Sequence, residues 1–380
     1  MWGMAETSGW LVFWVVAVAR FLLPLTIPRY PVPGIVASLL LDAVDQTIFQ
    51  QFPGLRLEGY QGYDKALDIY YLAVAYISTL RNWANHFAFQ VSRFLFYWRL
   101  AGVALFELTH FRPLLLIFPN TFEYFFIFFE VYRLRWDPQR MSKKLLIGAA
   151  AFIWIVIKLP QEFWIHIAQI DTTDFIKVDL FGVAADTPWS EIVRTWPWVF
   201  VIAVAVVLLI LVAAFWFLRR RLRPADRALA FSSDAYQPAF SEEQVRSAIA
   251  SEARQIVDAA LVEKIVLLAL VSLCFAQVLP DVRATDLQLV IGVAFGVIVN
   301  TVLSHWLARR GFGWAFARQE FVVMLGVNLG LLLAYTFLRS RIDAPVSLAN
   351  ALFFAFLLTL LVTLYDRYRQ VYLIRFGASG

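Results

Sequence analysis

Four aspartates stand in the stretch from Leu39 to Tyr76: Asp42, Asp45, Asp64 and Asp68. Asp42 and Asp45 are spaced i, i+3, and Asp64 and Asp68 are spaced i, i+4, so each pair occupies one face of its helix. The apolar run SLLLDAVDQTIFQQF carries the first pair and YDKALDIYYLAVAY the second, with a short glycine-punctuated link between them. That link predicts two antiparallel neighbouring helices whose carboxylates converge. A carboxylate inside a bilayer costs about 2.5–3.5 kcal/mol on insertion scales unless it is paired, protonated or metal-bound. Hard oxygen ligands without Cys or His suit Mg²⁺, Mn²⁺ or Ca²⁺, and magnesium takes the rest of its shell from water and substrate phosphates. The chemistry expected is therefore a divalent metal, Mg²⁺ or Mn²⁺, held by Asp42, Asp45, Asp64 and Asp68. The alternative is four carboxylates at helix ends in headgroup water, paired with Arg56, Lys65 or Arg20.

The spacing resembles that of the CDP-alcohol phosphatidyltransferases, which carry D-x-x-D-G-x-x-A-R and then G-x-x-x-D-x-x-x-D across two consecutive membrane helices. This chain reads Asp42-x-x-Asp45-Gln46-x-x-Phe49-Gln50, then Gly59-x-x-x-x-Asp64-x-x-x-Asp68. Gln46 stands at the family's glycine, Phe49 and Gln50 stand at Ala-Arg, and Gly59 is one residue out of register. The resemblance covers residues 42–68. It implies that Asp42, Asp45 and Asp64 are metal ligands, and that Asp68 joins them and acts as base on an acceptor hydroxyl. It also implies a phospholipid-handling transferase.

The elements that must position these groups are membrane helices. Of the 380 residues 61% are hydrophobic, 17% aromatic and 16% charged, whereas soluble domains are roughly half apolar and about a quarter charged. The fold class expected is all-α, a polytopic integral membrane protein. At about 20 residues per span the apolar runs allow ten or eleven helices. The division expected is an N-terminal membrane bundle over 1–218 and a cytoplasmic linker over 219–260. A four-helix bundle over 261–380 follows. Within the 219–260 linker, Ser241, Glu242 and Glu243 open a juxtamembrane amphipathic helix, with Val245, Ile249, Ile256 and Ala260 on one face. The first apolar run lacks a basic n-region and a cleavage site, and reads as a retained span.

The net charge of +5 reads as loop arginine and not as a nucleic-acid surface. The loops 133–144, 219–227 and 309–318 and the tail from Arg367 are basic. They alternate correctly if cytoplasmic, which turns the aspartate link outward. The setting expected is the cell membrane, with multiple passes. Partners expected are membrane lipids, no nucleic acid, and a protein docking through 223–260. The single Cys274 excludes a disulfide framework or thiolate metal site.

Other candidates carry less. Arg93 and Arg99 with Glu107 and Glu123 could form buried pairs or a proton relay between the fourth and fifth spans; the plainer reading is snorkelling at an interface. His166 and Glu162 at i, i+4 make a sparse site, in a segment expected to be interfacial. Asn300 and His305 suit hydrogen bonds to a neighbouring helix. No P-loop, G-x-G-x-x-G, nucleophile elbow, haem or iron–sulfur pattern is present. Three function classes follow: a metal-dependent enzyme on a lipid or phosphoanhydride substrate, a transporter or channel-like protein, and a non-catalytic subunit of a larger complex. Without a convincing internal repeat the transporter is the weaker reading.

Overall fold

A computed structural model describes residues 2–50, 60–169, 172–221, 224–237, 240, 243–244, 258–279, 285–309, 317–340 and 348–377. Among them every regular element is helical, as composition requires in a bilayer where backbone groups must be satisfied within the segment. The long helices are α1 (Trp2–Leu22), α2 (Pro31–Gln50), α3 (Tyr60–Asn82) and α4 (His86–Thr109). A short α5 (Pro113–Ile117) precedes α6 (Thr121–Arg133). Then come α7 (Lys143–Ile167) and α8 (Pro197–Arg221), followed by α9 (Ala259–Val278), α10 (Asp286–Arg309), α11 (Ala317–Ser340) and α12 (Leu348–Phe376).

Eight helices of the described residues are long and apolar enough to cross a membrane, against the ten or eleven expected. The three exceptions have different causes. The α3 helix carries Asp64, Lys65 and Asp68; α4 carries Arg93, Arg99 and Glu107; and the apolar part of α11 is confined to Phe321–Tyr335. Charge is tolerable in α3 because Asp64 and Asp68 pair with Arg20, Lys65 lies 3.8 Å from Glu107, and the helix beyond them is enclosed by protein. All of Ile69–Leu80 is buried, and α3 packs against α1, α2, α4, α9 and α12. The opposite case is α8, apolar all round with none of its span buried, as suits a helix facing lipid. One continuous core joins Ile27 and Tyr70 to Phe126, Leu268 and Leu361. The juxtamembrane helix expected at 241–260 lies almost wholly outside the described residues.

Helix ends follow local chemistry. Asn85 Oδ1 accepts from the Ala88 N–H at 3.0 Å and starts α4; the Ser142 and Asp258 side chains cap α7 and α9 in the same way. His110, at φ 53°, ends α4 in the left-handed region. The α1–α2 turn is tight because position 34 is glycine: a Cβ there would lie 2.8 Å from the Ile27 nitrogen. In α7 the helix does not stop where an interfacial segment was expected but runs on to Ile167. Pro160 lacks an N–H and would break a regular ladder. The π-helical turns at Ile153–Lys158 and Phe163–Ile167 flank it and absorb the irregularity.

A strap, residues 224–237, crosses one end of the bundle. The Ser233 N–H donates to Arg29 O at 2.8 Å and its Oγ donates to Pro28 O at 2.8 Å, holding the α1–α2 turn. Arg81 at the end of α3 donates to Ser233 Oγ at 2.8 Å and pairs with Asp234. The Asp226 N–H donates to Arg135 O just beyond α6 at 2.9 Å. Arg375 of α12 donates to Gln237 Oε1 at 2.6 Å.

Candidate functional site

The four aspartates converge, and Arg20 of α1 stands at their centre. Its Nη1 pairs with Asp45 Oδ2, which is wholly buried, and with Asp64 Oδ1 at 2.9 Å. Its Nη2 pairs with Asp42 Oδ1 and with Asp68 Oδ1 at 3.1 Å. The helical spacing explains the convergence: α2 presents Asp42 and Asp45 on one face, α3 presents Asp64 and Asp68 on the facing one, and α1 closes the third side. Arg20 was one of three partners considered for these acids; Lys65 instead lies 3.8 Å from Glu107, and Arg56 lies outside the described residues. Pairing with Arg20, the alternative to a metal-held cluster, is what the structure shows for all four carboxylates.

One guanidinium does not balance four carboxylates. With all four ionised the cage carries three uncompensated negative charges, in a setting where unpaired charge is costly. Asp42, Asp64 and Asp68 each offer an oxygen within 4.8 Å of the others, close enough to share a hard cation. These three side chains are partly exposed, at 26%, 34% and 34%, whereas Asp45 is at 0%. The residues therefore divide by exposure: Asp45 is enclosed, while the other three, which also pair with Arg20, are partly exposed. Mg²⁺ or Mn²⁺ fits this donor set by charge and by oxygen hardness. On the link side of the cage, the rings of Phe13, Phe49 and Tyr63 meet with centroids 5.5–6.2 Å apart, and the Arg20 guanidinium lies 5.4 Å from the Tyr63 ring centre. Phe49, at a motif position where the resembled family has alanine, is part of this roof.

The other sequence candidates are not brought together as a relay. Arg93 pairs with Glu263 at 2.9 Å, and Glu107 faces Lys65. Arg99 donates to Phe118 O at 3.1 Å and lies 3.9 Å from Glu162. Gly102 makes room for that turn, since a Cβ there would overlap the Phe118 side chain. Glu123 accepts from the Tyr71 hydroxyl at 2.6 Å and from Asn120 Nδ2 at 2.7 Å, with Lys158 Nζ at 4.0 Å. His166 does meet Glu162, at 3.0 Å. Tyr71, one turn beyond Asp68 on α3, thus belongs to a second polar cluster built on α6 and α7. Asn300 donates to Asn328 Oδ1 at 2.6 Å, and Asn328 donates to Thr359 at 2.8 Å, linking α10, α11 and α12 as membrane helices are commonly joined.

Sequence reasoning passed over two things. Arg20 is named from the sequence as one of three candidate partners of the aspartates, but nothing there singles it out as the charge shared by all four. Glu263 and Lys264, at the start of α9, were read as part of an apolar span. Glu263 accepts from Tyr76 and Tyr97 hydroxyls, and Lys264 pairs with Asp366 at 2.8 Å.

Compared with protein-family models, curated proteins and solved structures, the chain matches none.

Proposed function

We propose that this is a multi-pass enzyme of the cell membrane, dependent on Mg²⁺ or Mn²⁺, that transfers a phosphate-linked group on a lipid or phosphoanhydride substrate. The observation that carries the reading is the charge imbalance of the Arg20 cage: four converging carboxylates, three of them partly exposed and within 4.8 Å of one another, against one cation. The motif resemblance over residues 42–68 points to the same chemistry. Asp42, Asp64 and Asp68 would hold the metal; Asp45 would hold Arg20 in place. A bound divalent ion would supply charge neutralisation at the transferring phosphate. Asp68 accepts the proton of the acceptor hydroxyl as the new O–P bond forms. The leaving phosphate departs with the electrons of the broken P–O bond. Gln46 and Gln50 replace the small and cationic residues of the resembled nucleotide site, so the donor's carrier group differs from that family's.

The test is metal binding by the purified protein, read by Mn²⁺ electron paramagnetic resonance. Saturable binding that is lost in an Asp42→Asn/Asp68→Asn variant with unchanged helicity is the expected result. A wild-type protein that takes up no Mn²⁺ or Mg²⁺ would overturn the proposal and leave Arg20 as the cage's permanent counter-ion.

A further inference from the structure

A second set of ionisable groups is buried where α6 meets α4 and α7, and its hydrogen bonds do not close. The relay expected of Arg93, Arg99, Glu107 and Glu123 is not formed there, since Arg93 and Glu107 pair elsewhere. A different set is: Arg99 of α4, Glu123 of α6, and Lys158, Glu162 and His166 of α7. The last three are four residues apart and share a face, on the stretch that holds both π-helical turns, a feature frequent at functional sites. Lys158 Nζ stands 4.0 Å from Glu123 Oε1, beyond hydrogen-bond reach. Asn120, 8% exposed, donates from Nδ2 to Glu123 Oε2 at 2.7 Å, yet its Oδ1 has no donor among the described residues. Arg99 Nε has no acceptor among them.

Unmet donors and unmet acceptors thus share one contact. A buried polar group left so costs about 1–3 kcal/mol, and what relieves both kinds must donate and accept. An anion would meet Glu123 and Glu162, and a metal cation would meet Lys158 and Arg99. Water suits all of them, and one molecule bridges a 4.0 Å gap between ammonium and carboxylate. The contact opens at one end. His166 Nε2 lies 3.0 Å from Glu162 Oε2, and its side chain is 20% exposed against 6% for Glu162. Counting helical rise from Lys143, Lys158 lies about 22 Å along α7 and His166 about 35 Å. With a hydrocarbon core about 30 Å thick, Lys158 is inside the bilayer and His166 at its boundary. The rings of Trp164 and Phe175, with centroids 6.1 Å apart, bring Asp174 to the same end.

We propose that this contact is a hydrated proton-uptake site, in which His166 collects a proton at that membrane face and Glu123 receives it. Histidine is the side chain that exchanges protons near neutral pH. The Nε2–H bond of the imidazolium breaks as an O–H bond forms on Glu162 Oε2. Water then carries a proton on to Glu123 Oε1, the oxygen facing Lys158, and Glu162 is a carboxylate again. Nothing is oxidised, and no reactant but the proton is needed. The groups around Glu123 are Tyr71 from α3, which donates to its Oε2 at 2.6 Å, Lys158 from α7, and Tyr124 beside it. Around Glu162 and His166 stand Arg99 from α4 and, past the end of α7, Asp174. The α5 helix adds no titratable group. None of this involves Arg20 or its four aspartates.

Difference infrared spectroscopy of the full chain in nanodiscs tests this. Lowering the pH from about 8 to about 5 should raise a protonated-carboxyl band that shifts in D₂O and is missing in Glu123→Gln. Any band from the Arg20 cage is told apart because it survives that change. After a rapid pH drop, His166→Ala should delay the Glu123 band at least about tenfold, and imidazole in the buffer should restore the wild-type rate. A histidine that only props up the fold gives no such rescue. Where Glu123→Gln fails to fold, Glu123→Asp takes its place, and the band should move in frequency. No band, or a band untouched by the Glu123 variants, overturns the proposal. An equal rate in His166→Ala, or a delay that imidazole does not relieve, overturns the uptake route through His166.

Discussion

Two of the charge clusters among the described residues of this bundle are built differently. Near the strap end, Arg93 pairs with Glu263, Lys264 with Asp366, and Arg369 with Asp258, at 2.8–2.9 Å. Each acid has its own base, and Glu263 also receives two tyrosine hydroxyls. In the cage, four acids share Arg20. The first arrangement is what a fold does to make necessary charges tolerable. The second leaves charge outstanding, which a chain selected for stability alone would have no reason to keep. What separates them chemically is the ratio of acids to bases.

The sharpest way to break this comparison is Arg20→Ala. Removing the one cation should cost about 3–5 kcal/mol, as for other buried charges stripped of a partner. Added Mn²⁺ should return much of the loss in a thermal melt in detergent. No loss, or no return with metal, would put the cage in the same class as the paired network. Next in size is Glu263→Gln. The amide still accepts from Tyr76 and Tyr97 but no longer neutralises half-buried Arg93, so about 1–3 kcal/mol should go. Here Mn²⁺ should change nothing.

The double change Asp42→Asn/Asp68→Asn sharpens the contrast from the other side. It removes two charges of the surplus and leaves Arg20 with Asp45 and Asp64. Metal-free stability should stay within about 1 kcal/mol of wild type or rise above it, while the metal-dependent gain in melting temperature disappears. The smallest effect is expected for Asn328→Ala, which cuts the uncharged link from Asn300 to Thr359. Interhelical hydrogen bonds in membranes average about 0.6 kcal/mol, so a loss of about 1 kcal/mol, insensitive to metal and to salt, is the outcome to check by unfolding.

The acids of the cage were legible in the sequence because i, i+3 and i, i+4 spacing on two linked apolar helices forces a shared face. Their centre was not, because Arg20 is separated from them by 22 to 48 residues and no local rule joins α1 to α3. The helical class was equally plain from composition. The number of lipid-competent spans was not, since hydropathy assumes that a spanning helix meets lipid, and Ile69–Leu80 of α3 meets only protein. Glu263 and Lys264 escaped notice because two adjacent opposite charges at the start of an apolar run hardly lower its hydropathy, whereas packing of α9 against α3, α10 and α12 buries them.

The strap has a mechanical consequence. By tying the α1–α2 turn and the nearby tips of α3 and α12 to one short segment, it makes that end a hinge plate, and a rod held at one tip moves most at the other. A tilt of about 5° carries the free end of a 20-residue helix about 3 Å. Breathing of the bundle is thereby directed to the far mouth, where α1 and α2 would part like fingers joined at the knuckle.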